Sequence, residues 1–152
     1  LSETVYGQKE YEAIIESRLK EVYSDRVVDY AIHPRNFGRI EHAHAFAKIT
    51  GPCGDTMEIW LKVSGGVVTE AGFITDGCVA TVATGSMVTE MARDRTIGEA
   101  LGIGQQDVLD ELGGLPEANR HCALLAANTL KKALGKYLAF QNEPWKRLYS
   151  KY

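Results

Sequence analysis

Few residues in this chain could do chemistry, and they sit at telling places. There are three cysteines, Cys53, Cys78 and Cys122. Cys53 lies in Gly51-Pro52-Cys53-Gly54-Asp55, where proline and glycine predict a turn that displays a thiol and a carboxylate two residues apart. Cys78 follows Gly77 and opens the uncharged run Val79 to Thr89, so it is expected at a strand-to-helix junction. Cys122 follows His121 and opens a long helical pattern. A thiol at a helix N-terminus faces unpaired N–H groups and the positive end of the helix, which favours the thiolate that binds metal. Each residue alone has a plainer reading: an incidental turn cysteine, a buried inert thiol, a surface histidine. Together, Cys53, Asp55, Cys78 and Cys122, with His121 nearby, predict one shared metal site. Three thiolates and a carboxylate suffice for tetrahedral zinc or for the two irons of a [2Fe–2S] unit. Positions 53, 78 and 122 are too dispersed for paired CxxC knuckles or a compact ferredoxin run. The residues by themselves leave zinc and iron–sulfur both open.

The chain has 152 residues and a net charge of −3. That length fits one domain and buries enough surface to fold without a metal or disulfide. The charge gives no electrostatic footprint for nucleic acid or an anionic membrane. No apolar run approaches the roughly 18 residues of a membrane span. An odd cysteine count argues against a disulfide framework. The first residues, Leu-Ser-Glu-Thr, have neither a basic nor an apolar targeting region. A reducing, cytoplasmic setting is expected.

The elements that must position these groups follow from periodicity. Glu3 to Val22 reads as a helix with Tyr11, Ile14, Ile15, Leu19 and Val22 on one side, packing on the domain or on a partner. Ser24 is the expected N-cap of a second helix bearing Val27, Val28, Ala31 and Ile32, which ends at His33-Pro34. Three strands are expected, Ala45 to Thr50, Thr56 to Val63 and Val67 to Thr75. In the second, Met57, Ile59, Leu61 and Val63 alternate with Thr56, Glu58, Trp60 and Lys62, the period of a sheet with unlike faces. Gly65-Gly66 makes the last two an antiparallel hairpin. Val79 to Val88 is apolar nearly all round, as a buried helix is. Thr96 caps a short helix, Gln105 to Leu112 forms another, and Asn119 to Phe140 is the longest, with Ala123, Ala127, Leu130, Leu134 and Leu138 on its apolar face. A break is expected at Pro144. Strands followed by helices give an α+β fold with helices on one face of a small antiparallel sheet.

Four stretches, YSDRVVDYAIHPRNFG, GPCGDTMEIWLKV, ITDGCVATVATGSMVTEMARDRTIGEAL and LPEANRHCALLAANTLKKAL, resemble in order the IscU/NifU-type iron–sulfur cluster assembly scaffold. The resemblance covers about Tyr23 to Gln141. It divides the chain into an N-terminal helical extension (1–22), a scaffold domain (23–141) and a C-terminal tail (142–152). It implies a three-stranded antiparallel sheet with a long C-terminal helix. It further implies a cluster, usually [2Fe–2S], built on the protein and passed to apo-proteins. Sulfur comes as persulfide from a cysteine desulfurase and electrons from a ferredoxin-type donor. By motif position Cys53, Asp55, Cys78 and Cys122 are the implied ligands, Cys122 the implied persulfide acceptor and His121 the alternative ligand. The family's LPPVK, where an Hsp70-type chaperone docks, is replaced here by Leu115-Pro116-Glu117-Ala118-Asn119, which leaves that partner in doubt. The insertion between the second and third cysteines that marks the SufU branch is absent, which favours a scaffold over a zinc-dependent sulfur acceptor.

Three functions are thus weighed. The first is a scaffold, not an enzyme, since the desulfurase does the covalent chemistry. The second is a zinc-bound sulfur-relay protein with the same ligands. The third is a thiol hydrolase with Cys122 as nucleophile, disfavoured because neighbouring helical residues point in different directions. Oligomeric state is left open.

Overall fold

The hairpin read from the alternating strand lies at the centre of the molecule. A computed structural model describes residues 2–142, so the break expected at Pro144 lies outside the described residues. Strands β1 (Ala45–Thr50), β2 (Thr56–Ser64) and β3 (Val67–Thr75) form an antiparallel sheet in the order β1-β2-β3. Gly65 and Gly66 turn β2 into β3 with φ of 59° and 75°. Two successive positive φ values match the twist of a hairpin and are cheap only for glycine and a few polar residues.

Met57, Ile59, Leu61 and Val63 face the core as the alternation requires. The other face of β2 is less polar than expected. Trp60 is 3% exposed, stacked at 5.0 Å on Phe46 with the Arg39 guanidinium 5.8 Å from its ring centre. The chain after the second helix folds back over this face. Gly38 N–H donates to the Phe73 carbonyl (2.8 Å), and Phe73 N–H donates to the Asn36 carbonyl (3.0 Å). Residues 36–38 thereby also occupy the β3 edge, which would otherwise present unpaired backbone groups.

Among the described residues there are six α-helices: α1 (Ser2–Leu19), α2 (Asp25–Ile32), α3 (Val79–Ala92), α4 (Ile97–Leu101), α5 (Gln105–Leu112) and α6 (Arg120–Asn142). A single 3-10 turn, Glu117–Asn119, leads into α6. α6 packs on β1 and β2, and α3 packs on β3. Ser24 caps α2 as expected, accepting from Val27 N–H at 3.1 Å. Thr96 and Glu99 form a reciprocal capping box at α4, a two-bond arrangement that satisfies donors the helix cannot. Helix α1 departs from its expectation. It ends at Leu19, before Val22, and Tyr11, Ile14, Ile15 and Val22 are exposed. The stripe is helical in spacing but does not cover the domain with those side chains.

Helix α3 lies so close to β3 that there is no room for one methyl group. A Cβ at Gly85 would stand 2.5 Å from Cδ2 of Phe73, and Phe73 is fully buried. Alanine gains about 0.8–1 kcal/mol of helix propensity over glycine, whereas overpacking a core costs about 1–3 kcal/mol. Because the ring is enclosed, the second effect is expected to win. Gly85→Ala should lower the thermal midpoint by several degrees in far-UV circular dichroism. An unchanged or raised midpoint would show that the ring can yield.

Candidate metal centre

The site assembles from three element ends. The turn between β1 and β2 is closed by Gly51 N–H donating to the Asp55 carbonyl (2.7 Å) and Gly54 N–H to the Gly51 carbonyl (3.0 Å). It is tied to the end of β3 by Thr56 N–H donating to Asp76 Oδ1 (2.8 Å) and by Thr75 Oγ1 donating to the Thr56 carbonyl (2.6 Å). These bonds bring Asp55 beside the start of α3. Cys78 is the N-cap residue of α3, and its side chain makes no capping bond. Cys122 lies in the first turn of α6.

Asp55, Cys78 and Cys122 each place one donor atom so that all three lie within 4.8 Å of one another. Cys53 stands outside that group, exposed on the turn. It is near enough that its charge is felt at Cys122. The structure thus gathers two sulfurs and one carboxylate tightly, and Cys53 stays on the exposed turn that carries Asp55. One oxygen and two thiols are a donor set suited to iron–sulfur iron or zinc, not to magnesium or calcium, which take oxygen ligands.

Two expectations about Cys122 need correction. The helix N-terminus was expected to favour its thiolate. Instead Cys122 is 1% exposed, and burial raises its thiol pKa. The side-chain contact with Thr81 lowers it, while the charges of Cys78, Asp55 and Cys53 raise it further. Loss of water outweighs the favourable end of the helix. Second, His121 was expected to point away from its neighbour, yet its Nε2 lies 3.7 Å from Cys122 Sγ. Helical side chains lean toward the N-terminus, and here the two side chains meet despite being sequence neighbours. The objection to a Cys–His pair therefore falls, but a nucleophile this buried offers no approach for a hydrolysable substrate.

Exposure sets an order of reaction. Cys53 and Cys78 are exposed and should alkylate with iodoacetamide well before Cys122, which peptide mass mapping after a brief pulse would resolve. Simultaneous labelling of all three would mean that the start of α6 opens readily.

Two participants were not anticipated from the sequence. Thr81 Oγ1 lies 2.9 Å from Asp55 Oδ2, 3.5 Å from Cys122 Sγ and 3.7 Å from Cys78 Sγ. The only signal was its place one helical turn after Cys78, which puts both on one face. Tyr23 also faces the centre. Its phenol pKa is raised first by burial and then by the charges of Cys78 and Cys122. Nothing in its local sequence distinguished it from a loop tyrosine.

The centre thus combines a turn carrying Cys and Asp, a cysteine at the N-cap position of the helix after the third strand, and a His-Cys pair in the first turn of the last long helix. The family described as NifU-like N terminal domain matches residues 22–144. The chain belongs to this family. Among relatives, it is 45% identical over 117 residues to the iron-sulfur cluster assembly scaffold protein IscU 1 of Archaeoglobus fulgidus, covering 76% of each chain. It is 38% identical over 122 residues to the iron-sulfur cluster assembly scaffold protein IscU of Aquifex aeolicus, covering 78% of each. The crystal structure of a nitrogen-fixing NifU-like protein (N-terminal) from Brucella abortus superimposes with a TM-score of 0.64 at 20% identity, covering 80% of this chain and 97% of that one. That likeness bears on the fold alone, and agrees with the three-stranded antiparallel sheet and long last helix of this family member.

Proposed function

We propose that the chain is a scaffold on which an iron–sulfur cluster, [2Fe–2S] by the family expectation, is assembled and from which it passes to apo-proteins. The observation that carries this reading is the convergence of Asp55, Cys78 and Cys122 within 4.8 Å in a chain of the NifU-like family. Cys53 completes the ligand set when its turn closes over the cargo, and His121, against Cys122, is the alternative ligand. The scaffold domain is assigned to residues 23–141, with 1–22 and 142–152 as extensions. Zinc at the same donors is the weaker reading, since both curated relatives described above are named for iron–sulfur cluster assembly.

The division of labour follows the family expectation. A cysteine desulfurase supplies sulfur as persulfide, and a ferredoxin-type donor supplies the two electrons that reduce each sulfane sulfur to sulfide. Cys122 is the proposed persulfide acceptor, because His121 is the base that touches its thiol. Its burial means that the desulfurase must bind in a way that opens the start of α6. The chain holds and releases and has no covalent step on a substrate to catalyse, so it is not an enzyme in this account. A Hsp70-type chaperone is left out, since residues 115–119 lack LPPVK. No helix among the described residues is long and apolar enough to cross a membrane. The odd count of three cysteines suits a reducing cytoplasm.

Transfer is the activity to measure. Protein loaded anaerobically and mixed with an apo-ferredoxin should hand over its cluster, followed by circular dichroism in the visible range. Cluster that stays on the chain or decays to free iron without reaching the acceptor would contradict the scaffold reading.

A further inference from the structure

We infer that Thr81 is a positioning residue of the metal centre: its hydroxyl orients the Asp55 carboxylate toward the two sulfurs and holds the three donors in register before any metal arrives. This deepens the proposed function and rests on the reading of Asp55, Cys78 and Cys122 as ligands.

A threonine hydroxyl has one hydrogen and two lone pairs, and an ionised carboxylate only accepts. The hydrogen of Thr81 therefore goes to Asp55 Oδ2, at 2.9 Å. The same oxygen lies 3.5 and 3.7 Å from the sulfurs of Cys122 and Cys78. One buried side chain thus touches a donor from each of the three converging elements. Thr81 is fully buried, so water does not compete for these bonds.

The rotamer is pinned from the other side. A Cβ at Gly77 would stand 2.5 Å from Thr81 Oγ1 and 2.6 Å from its Cβ, so the backbone at 77 packs directly against the side chain. Cys78 and Thr81 lie one turn apart on α3, which fixes the hydroxyl relative to one sulfur. The contact with Asp55 then fixes the carboxylate relative to both. Asp55 is only half-buried, on a turn, and Thr81 is its bond to a rigid helix. Metal-ligating carboxylates are oriented by such partners, whose loss costs about 10–100-fold in metal affinity.

The test uses cobalt(II) alone, titrated anaerobically into the metal-free protein, with thiolate-to-cobalt absorption as the readout. Thr81→Val keeps the shape and removes the hydroxyl, and Thr81→Ser keeps the hydroxyl. Valine is expected to weaken cobalt binding about 10–100-fold, and serine to restore most of it, with far-UV circular dichroism unchanged. The same Thr81→Val change made in Asp55→Ala protein should have little effect, because the residue it acts through is gone. A general packing role would weaken binding in both backgrounds, and a hydroxyl that merely blocks the empty site would make valine bind tighter. Either result overturns the inference. If valine alone unfolds the protein, the serine variant decides: binding no better than in Asp55→Ala protein refutes it. A parent protein with no thiolate-to-cobalt band would remove the ligand set itself, and the positioning role with it.

Discussion

Cys78→Ala and Cys122→Ala should each reduce cluster assembly to background. Among the described residues, the tight donor group holds two sulfurs and one carboxylate within 4.8 Å. Removing either sulfur leaves one thiolate beside an oxygen, and iron in clusters prefers thiolate. Loss of an outer partner of a metal ligand costs about 10–100-fold, so loss of a ligand should exceed about 100-fold. Cys78 is exposed and makes no capping bond, so its truncation should leave the melting temperature nearly unchanged. That separates loss of a ligand from loss of the fold. Cys122 is buried, so its alanine variant needs a melting curve beside the reconstitution. Cys53→Ala should be milder in initial metal binding and severe in cluster lifetime, because Cys53 stands outside the tight group. Equal and partial losses in all three variants would contradict this division of the site.

The second large effect concerns Asp55. A carboxylate oxygen is a harder donor than sulfur and is more readily exchanged on iron. A scaffold needs such a point of entry for the acceptor's thiol, since a cluster held by thiolates alone would be retained as in a ferredoxin. Asp55→Ala should therefore still assemble a cluster on three thiolates, with His121 or solvent completing the shell. Transfer to an apo-acceptor should slow by about tenfold, the lower end of what changes around a metal ligand produce. Cluster lifetime and transfer rate, followed by visible circular dichroism against the parent, measure both. Faster cluster loss with unimpaired transfer in the variant would rule out a labile-ligand role and leave Asp55 as a shaper of its turn.

These effects rest on features that were legible in the sequence to different degrees. The alternation in β2, the Gly65-Gly66 turn and the cap at Thr96 are local signals, and local geometry honours them. The all-round apolar α3 was legible because a helix touched on every side has no polar stripe. The placing of cysteines at element ends was legible for the same reason. What could not be read was how tightly those ends meet. Cys122 sits where an isolated helix would favour its thiolate, but tertiary cover removes water and reverses the effect. Thr81 read as one more small residue of a buried helix. Its role depends on Asp55, 26 residues earlier, and Cys122, 41 residues later. The cover over Trp60 could not be read, because the segment that supplies it carries no hydrophobic period of its own. The apolar spacing in α1 was a true helix signal, but it did not tell whether the domain itself would cover that face.

Every role proposed for these residues depends on a cluster forming on this chain. The direct measurement is anaerobic reconstitution of the metal-free protein with ferrous iron, cysteine, a cysteine desulfurase and a thiol reductant, followed by visible absorption and by iron and sulfide content. The predicted result is a sulfide-to-iron absorption envelope that grows with desulfurase turnover, stays with the protein through gel filtration, and carries iron and labile sulfide in equal amounts. Protein that emerges colourless, or that holds metal without labile sulfide while the desulfurase turns over normally, would contradict it.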